Sequence, residues 1–309
     1  MGTMECKNTC GHLVALLTIV IWGTTFISTK ILLIDFEPVE ILFFRFFMGF
    51  VVLLLVYPRR LNISKRKQEV TFAAAGFCGI CMYYLLENIA LTFTMASNVG
   101  VIISIAPFFT AILAHLFMKS EEKLQVNFFI GFIVAMTGIV LICFNGTTLK
   151  LNPMGDILAV IAAFVWACYS ILIKKIGSYG YPVGLATRRT FFYGIVFMLP
   201  TLFLFDFELG LLRFQNITYL LNIFYLGLGA SALCFVTWSF AVRILGAVNT
   251  SIYIYLVPVI TVVTSVLILK EPVTWISAIG TLLAIAGLCI SEYSRKTKKK
   301  ECVVHGLAQ

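Results

Sequence analysis

Charged side chains inside apolar stretches are the residues of this chain that could do chemistry. Arg45 and Glu87 each lie several residues inside a run long enough to cross a bilayer. A charge in the hydrocarbon region is costly and usually faces a cavity or a partner. Because the two fall at similar predicted depths, one interpretation is a structural ion pair between them. The other is that Glu87, beside the amide of Asn88, binds an amino group or carries a proton.

Aromatic side chains near the predicted helix centres could line a cavity between helices. Helix packing and interfacial aromatic belts are the alternative explanation, because they account for most aromatic residues in membrane proteins. We predict that the candidates for a binding surface are Trp22, Trp166, Tyr83, Tyr169 and Tyr253.

Two prolines, Pro107 and Pro258, lie near the middle of apolar runs. Each removes an amide donor and clashes with the carbonyl four residues earlier, which bends or breaks a helix. We predict that they act as gating hinges. A static bend is the alternative, because membrane helices tolerate proline.

These residues need membrane helices to position them, and the composition predicts such helices. Of the 309 residues, 61% are hydrophobic and 12% are charged, and the mean hydropathy is +1.00. Soluble domains are about 45–50% apolar and about 25% charged, so a soluble or disordered protein is excluded. The net charge of +9 indicates no nucleic-acid partner, because basic residues beside membrane spans explain it.

The apolar runs predict an all-α polytopic membrane protein with ten transmembrane helices. A span needs about 20 apolar residues, and its backbone must satisfy its own hydrogen bonds. Most of the 23 Lys and Arg residues lie in segments on the side that carries both termini. The positive-inside rule therefore predicts cytoplasmic N- and C-termini in the cell membrane. The predicted spans are roughly 12–34, 39–57, 70–93, 97–118, 126–144, 155–176, 182–205, 218–242, 248–269 and 274–292.

The chain also repeats itself. We divide it into two five-helix repeats, 1–148 and 149–294, and a basic cytoplasmic tail, 295–309. Five is an odd number, so the two repeats must cross the membrane in opposite senses, as in many secondary transporters. A shift of 144 places Trp22 on Trp166, Lys30 on Lys174, Pro38 on Pro182 and Arg45 on Arg189; shifts of 149–151 place Asn98 on Asn249, Pro107 on Pro258, Gly131 on Gly280 and Gly138 on Gly287.

The repeat singles out Arg189. It occupies the place of Arg45, but the position that matches Glu87 is Trp238. We therefore predict that Arg189 is free to bind a carboxylate or phosphate of the substrate with its guanidinium group. The alternative is that Arg188 and Arg189 extend to the nearby lipid headgroups.

Several of these motifs resemble the EamA family of the drug/metabolite transporter superfamily. The similarity covers both halves of the chain, although the first half lacks a counterpart of Pro272. The resemblance implies a ten-helix, mostly exporting carrier of small metabolites such as amino acids. The residues that carry it are Trp22-Gly23 with Lys30, Pro38 with Arg45, the stretch 90–107, and Leu269-Lys270-Glu271-Pro272 followed by Gly280 and Gly287.

Other functions stay open at this point. A multidrug-type exporter of lipophilic cations would use Glu87 and the aromatic side chains. An intramembrane enzyme needs a nucleophile–base pair or metal ligands, and the sequence contains no GxSxG or HExxH motif. We predict no metal, no cofactor and no enzymatic activity. The partners are the bilayer and a small-molecule substrate, whereas proton coupling, transport direction and oligomeric state are undetermined.

Overall fold

A computed structural model describes residues 2–63, 65–118, 126–143, 153–205, 207–271, 274–276, 278–287 and 289–290. Within these ranges the regular structure is entirely helical, with no strand. A helix satisfies its backbone hydrogen bonds within itself, which is what so apolar a chain requires in a membrane. The predicted boundary at 148 and 149 and the tail 295–309 lie outside the described residues.

The first half contains seven α-helices and one π-helical segment. The π-helical segment, Phe77–Met82, joins α3 to α4 without a break in the chain direction. The α-helices are α1 (Gly2–Leu32), α2 (Pro38–Val56), α3 (Arg66–Gly76), α4 (Tyr83–Phe93), α5 (Ala96–Ile103), α6 (Ala106–Phe117) and α7 (Val126–Cys143).

The second half is built in a similar way. A π-helical segment, Tyr225–Leu233, joins α10 to α11, and a 3₁₀ turn, Ile252–Leu256, joins α12 to α13. The α-helices are α8 (Pro153–Gly177), α9 (Val183–Leu204), α10 (Ile217–Phe224), α11 (Cys234–Leu245), α12 (Ala247–Ser251), α13 (Val257–Thr264) and α14 (Ala278–Gly287). Short 3₁₀ and π-helical pieces occupy Leu211–Gln215 and Ser265–Leu269.

Seven helical stretches of the described chain are long and apolar enough to cross a membrane, against the ten that we predicted. The 22-residue helix α9 falls short because Arg188 and Arg189 lower its hydropathy. Around α7 and α14 the described apolar helices are shorter. The ten-helix arrangement therefore stays a prediction. The seven are Asn8–Leu32, Pro38–Val56, Arg66–Phe93, Ala96–Phe117, Pro153–Gly177, Ile217–Leu245 and Ala247–Leu269.

The two proline-containing spans are interrupted near their middles. Helix α5 ends at Ile103 and α6 begins at Ala106, so Pro107 lies in the first turn of a new helix. Pro258 likewise lies in the first turn of α13, after the 3₁₀ turn. Proline is well accommodated there because the amide it lacks would have no helical partner. The sequence predicted bends; in the structure the α-helical hydrogen-bond pattern is interrupted at both places, by a short turn before Ala106 and by the 3₁₀ turn Ile252–Leu256.

Two helices meet through faces of glycine. A Cβ atom added to Gly138 on α7 would lie 2.4 Å from the carbonyl oxygen of Gly280 on α14, and one added to Gly287 would lie 2.4 Å from the amide nitrogen of Ala135. Small residues of this kind let membrane helices approach closely. The backbones of α7 and α14 are therefore in direct contact.

This contact predicts a large effect for a small substitution. We expect Gly138→Ala to lower the stability of the detergent-purified protein by about 1–3 kcal/mol, because the added methyl group meets backbone that cannot move aside. Thermal unfolding measures the change. Gly229→Ala is the control, because its nearest neighbouring atom would be 3.7 Å away. Equal melting temperatures for the two variants would contradict the packing argument.

Candidate functional site

A small cavity lies in the interior, at the level of the two helix breaks. Its volume is about 30 Å³, enough for roughly two water molecules. Residues beside both breaks line it, namely Ile103, Ile254 and Val257. The remaining walls come from α1, α4 and α8: Ile19, Trp22, Thr25, Phe26, Tyr83, Tyr84, Glu87 and Trp166.

Aromatic rings form most of the cavity wall. The rings of Trp22 and Trp166 meet edge to face, with centroids 5.1 Å apart, and Tyr83 lies 4.8 Å from Trp166. The ring of Trp238, the residue at the place of Glu87 in the second half, lies 5.1 Å from that of Trp22 but does not line the cavity. The structure thus brings Trp22, Trp166 and Tyr83 together in one wall, and their contact with a substrate stays a prediction.

One π-helical segment supplies two acceptor groups that the sequence did not predict. The indole nitrogen of Trp22 donates to the carbonyl oxygen of Ala230 at 2.9 Å, and Nε of Arg45 donates to Oγ of Ser231 at 3.1 Å. Both acceptors lie within Tyr225–Leu233. The wider turn of a π-helix offsets the backbone ladder, and such turns occur often at functional sites. Hydropathy patterns give no signal for them.

Glu87 is the one acidic residue among those that line the cavity. Its side chain is 1% exposed, and its Oε1 atom has no hydrogen-bond partner among the described residues. Tyr83, one turn earlier on α4, interacts with the same carboxylate. A buried carboxylate without full hydrogen bonding is energetically costly, which makes Glu87 the strongest candidate for contact with a charged ligand.

Arg45 is completely buried, but the predicted ion pair with Glu87 is absent. The two ion pairs among the described residues involve other partners. Instead, the guanidinium carbon of Arg45 lies 4.2 Å from the ring centroid of Tyr84 and 5.0 Å from that of Phe46. Its Nη1 and Nη2 atoms have no hydrogen-bond partner in the described part of the chain. Cation–π contacts with these two rings take the place of the expected contact with the Glu87 carboxylate.

Arg189 is not free, contrary to our prediction. It forms an ion pair and hydrogen bonds with Glu69, and Tyr193 donates to the same carboxylate. The Arg189 side chain is 36% exposed and does not line the cavity. The structure therefore reverses the expected roles, because Arg189 is paired at the surface and Arg45 is the unpaired interior cation.

Three further candidates lie outside the cavity lining. Asn88 donates to the carbonyl oxygen of Pro38 at 3.0 Å, so it links α4 to the start of α2. Tyr253 hydrogen-bonds to His12 at 2.7 Å, at the end of the bundle near the N-terminus. Tyr169 packs 5.1 Å from Trp166, with its ring against the backbone of Gly79. Tyr84, Thr25 and the residues beside the helix breaks line the cavity instead.

The far end of the bundle, where α1 ends, carries polar contacts both between the two halves, through Glu271, and within the first half, through Lys30. Glu271 accepts hydrogen bonds from the amides of Ala96 and Ser97 at 2.9 and 3.2 Å and from the Ser97 hydroxyl at 2.7 Å. Lys30 donates to the carbonyl oxygens of Leu91 and Thr94. A carboxylate at the N-terminus of α5 also interacts favourably with the helix dipole.

A second ion pair lies near this end, between Arg213 in the loop before α10 and Glu40 in the first turn of α2. Arg213 binds the buried carboxylate of Glu40 through two nitrogens, at 2.7 and 2.8 Å. These hydrogen bonds raise the pKa of Arg213 above its ordinary value. No cluster of potential metal ligands occurs among the described residues.

The family is decided by a comparison with known protein families. The model of the EamA-like transporter family matches this chain twice, over residues 9–144 and 153–293. The chain belongs to the EamA-like transporter family. The resemblance expected from the sequence motifs is therefore confirmed, and this membrane protein has transporters as its relatives.

Individual relatives of this EamA-like protein are similar over nearly their whole length. An uncharacterized transporter of Archaeoglobus fulgidus is 26% identical, covering 92% of this chain and 98% of the relative. A protein of Streptantibioticus cattleyicolor named "probable terminal-alkyne amino-acid exporter" is 24% identical, covering 94% and 96%. One crystal structure superposes with a TM-score of 0.64 at 16% identity, covering 94% of this chain and 98% of the other. That likeness shows the fold alone.

The Glu69 ion pair predicts the behaviour of Arg189 variants. We expect Arg189→Ala to leave ligand affinity unchanged and to lower stability by at most about 1 kcal/mol, because a half-exposed ion pair contributes little. Ligand titration and thermal unfolding of the purified protein measure these effects. If Arg189→Ala lost affinity for anionic ligands but not for other ligands, Arg189 would be part of the binding site.

Proposed function

We propose that this protein is a secondary transporter that exports small metabolites such as amino acids across the cytoplasmic membrane by alternating access. The observation that carries this proposal is the interior cavity that is lined by a buried carboxylate at the place where two helices are interrupted. Binding sites of secondary transporters typically lie near the midplane, beside discontinuous helices. A cavity of about 30 Å³ is too small for a metabolite, so transport requires the surrounding helices to move apart.

The packing supports ten helices in two inverted five-helix repeats. Helix α1 packs against α11, and its counterpart α8 packs against α4. Likewise α1 contacts α13, and α8 contacts α5 and α6. Each first helix thus lies against the third and fourth spans of the other half, as a twofold relation demands. Movement of one repeat against the other would then alternately open the two ends.

Lys and Arg counts support an orientation in which both termini are cytoplasmic. In that orientation the contacts of Glu271 with the start of α5 join the two halves at the outer end of the bundle. The direction of transport and the preference for amino acids follow the family and the name of the Streptantibioticus cattleyicolor relative. A multidrug-type exporter of lipophilic cations is a second candidate, which the aromatic walls and the single lining carboxylate favour.

The prolines provide the test of alternating access. We expect Pro107→Ala and Pro258→Ala to slow efflux of labelled amino acids from loaded proteoliposomes severalfold, because a restored amide lets the helix continue through the break. Ligand affinity in detergent should change little. The measurement compares initial efflux rates at equal protein content in the membrane.

Pro200→Ala is the matched control, because Pro200 lies inside the continuous helix α9, away from the cavity. It should transport at the wild-type rate. Equal rates for all three variants would show that the breaks are static. If vesicles release no amino acid, nucleobase, organic acid or lipophilic cation, the transporter proposal itself fails.

Proton coupling is the part of the proposal that depends on Glu87. A carboxylate that holds a proton cannot bind a cation at the same time, so binding of the two would alternate. We expect a pH gradient to accelerate substrate efflux in the wild type and to have no effect in Glu87→Gln. Substrate efflux is measured with the pH gradient intact and again after an ionophore has collapsed it. The difference between the two rates measures the coupling. Acceleration that survives in Glu87→Gln would place coupling elsewhere.

A further inference from the structure

Two opposite charges are buried on neighbouring helices with neither an ion pair nor a hydrogen bond between them. Arg45 on α2 is 0% exposed and Glu87 on α4 is 1% exposed, yet no ion pair joins them. Both Nη atoms of Arg45 and Oε1 of Glu87 have no hydrogen-bond partner among the described residues. Such groups cost stability unless another molecule satisfies them. The two Nη atoms of Arg45 can therefore donate hydrogen bonds to an anion, and Oε1 of Glu87 can accept one from a cation.

One aromatic ring, that of Tyr84, both lines the cavity and contacts Arg45. Tyr84 lines the cavity, whereas Arg45 does not. The guanidinium carbon lies 4.2 Å from the centroid of that ring. Glu87, three residues further along α4, already faces the cavity. A change in the side-chain conformation of Tyr84 would therefore both enlarge the cavity and bring the Nη atoms of Arg45 to its wall.

We propose that Arg45 and Glu87 together form a binding site for a zwitterionic amino acid with an apolar side chain. Glu87 binds the ammonium group, with the faces of Trp22 and Trp166 beside it. Arg45 binds the carboxylate with two parallel hydrogen bonds once Tyr84 has turned away. Ile19, Phe26 and Val257 are apolar lining residues that suit the substrate side chain. This inference rests on the proposed transport function and names its substrate class.

Charge balance favours a zwitterion over a singly charged ligand. Arg45 and Glu87 sum to zero charge, as do the two groups of the amino acid. A zwitterion therefore pairs each buried charge and adds no net charge to the membrane interior. An amine would leave the guanidinium unpaired, and a carboxylic acid would leave Glu87 unpaired, each at the cost of a desolvated charge.

The test uses ligands that differ from an amino acid by one charged group. Leucine is compared with isoamylamine, which lacks the carboxylate, and with isocaproate, which lacks the amine. Phenylalanine, phenethylamine and hydrocinnamate form a second series. Dissociation constants are measured by calorimetry on the detergent-purified full-length protein. We expect each amino acid to bind at least about tenfold tighter than either of its analogues, because each analogue leaves one buried charge unpaired.

The variants assign each charge to its ligand group. We expect Arg45→Met to bind the amino acid no tighter than the amine, and to bind the amine at least as tightly as the wild type does. Glu87→Gln should weaken the amino acid and the amine at least about tenfold, with no loss for the carboxylic acid. Tyr84→Ala should bind the amino acid as tightly as the wild type or tighter. Arg189→Met, at the matching place in the other repeat, is the control and should bind all three ligands normally.

Folding of each variant is checked from its melting temperature without ligand. If Arg45→Met does not fold, Arg45→Lys keeps the charge but loses the forked geometry, and it should weaken only the amino acid and the carboxylic acid. The proposal is overturned if the wild type binds amine and amino acid equally. Equal loss of both in the Arg45 variants also overturns it.

The binding measurements and the transport assay can fail independently of each other. Flux of another substrate class, without amino-acid binding, would remove this site and leave a transporter. The expected binding pattern without any flux would keep the site and remove alternating access.

Discussion

The absence of water in the membrane interior is the constraint on which this structure depends. Every backbone and charged group there must find its partner within the protein. The helices meet this demand for the backbone, and their two breaks are covered by other helices around the cavity. Arg45 meets it in part, through Ser231 and the rings of Tyr84 and Phe46. The atoms of Arg45 and Glu87 that have no hydrogen-bond partner among the described residues are the basis of the site proposed above.

Sequence alone predicted the residue types at this centre better than their partners. Matching the two repeats identified Trp22 and Trp166 as candidates, and their rings do meet in the cavity wall. Depth along a helix can be counted from the sequence, and it suggested an Arg45–Glu87 ion pair. The direction in which a side chain points around the helix axis cannot be counted in that way. Glu69 is 120 residues from Arg189 in the chain, and no local pattern connects them.

In the fold, too, local sequence patterns predicted where the helices lie, whereas packing determines how they are interrupted. The runs of apolar residues predicted helices at nearly the observed places, because hydrophobicity is a property of each residue. The breaks before Pro107 and Pro258 were expected as bends, since proline removes one amide regardless of context. Whether the helix bends or restarts depends on the neighbours that cover its free ends. The π-helical turns that hold Arg45 and Trp22 depend on such packing as well.

The two halves place different chemistry in similar positions, and that difference has a consequence for the substrate. Glu87 faces the cavity from the first half, whereas the matching residue of the second half is the apolar-packed Trp238. Arg45 is unpaired inside, whereas Arg189 is neutralised by Glu69 near the surface. A symmetric site would accept a ligand in two opposite orientations. In the proposed site both charges lie on helices of the first half, so a zwitterion would bind in one orientation only, and its two charged groups would stay attached to that half while the other half moves.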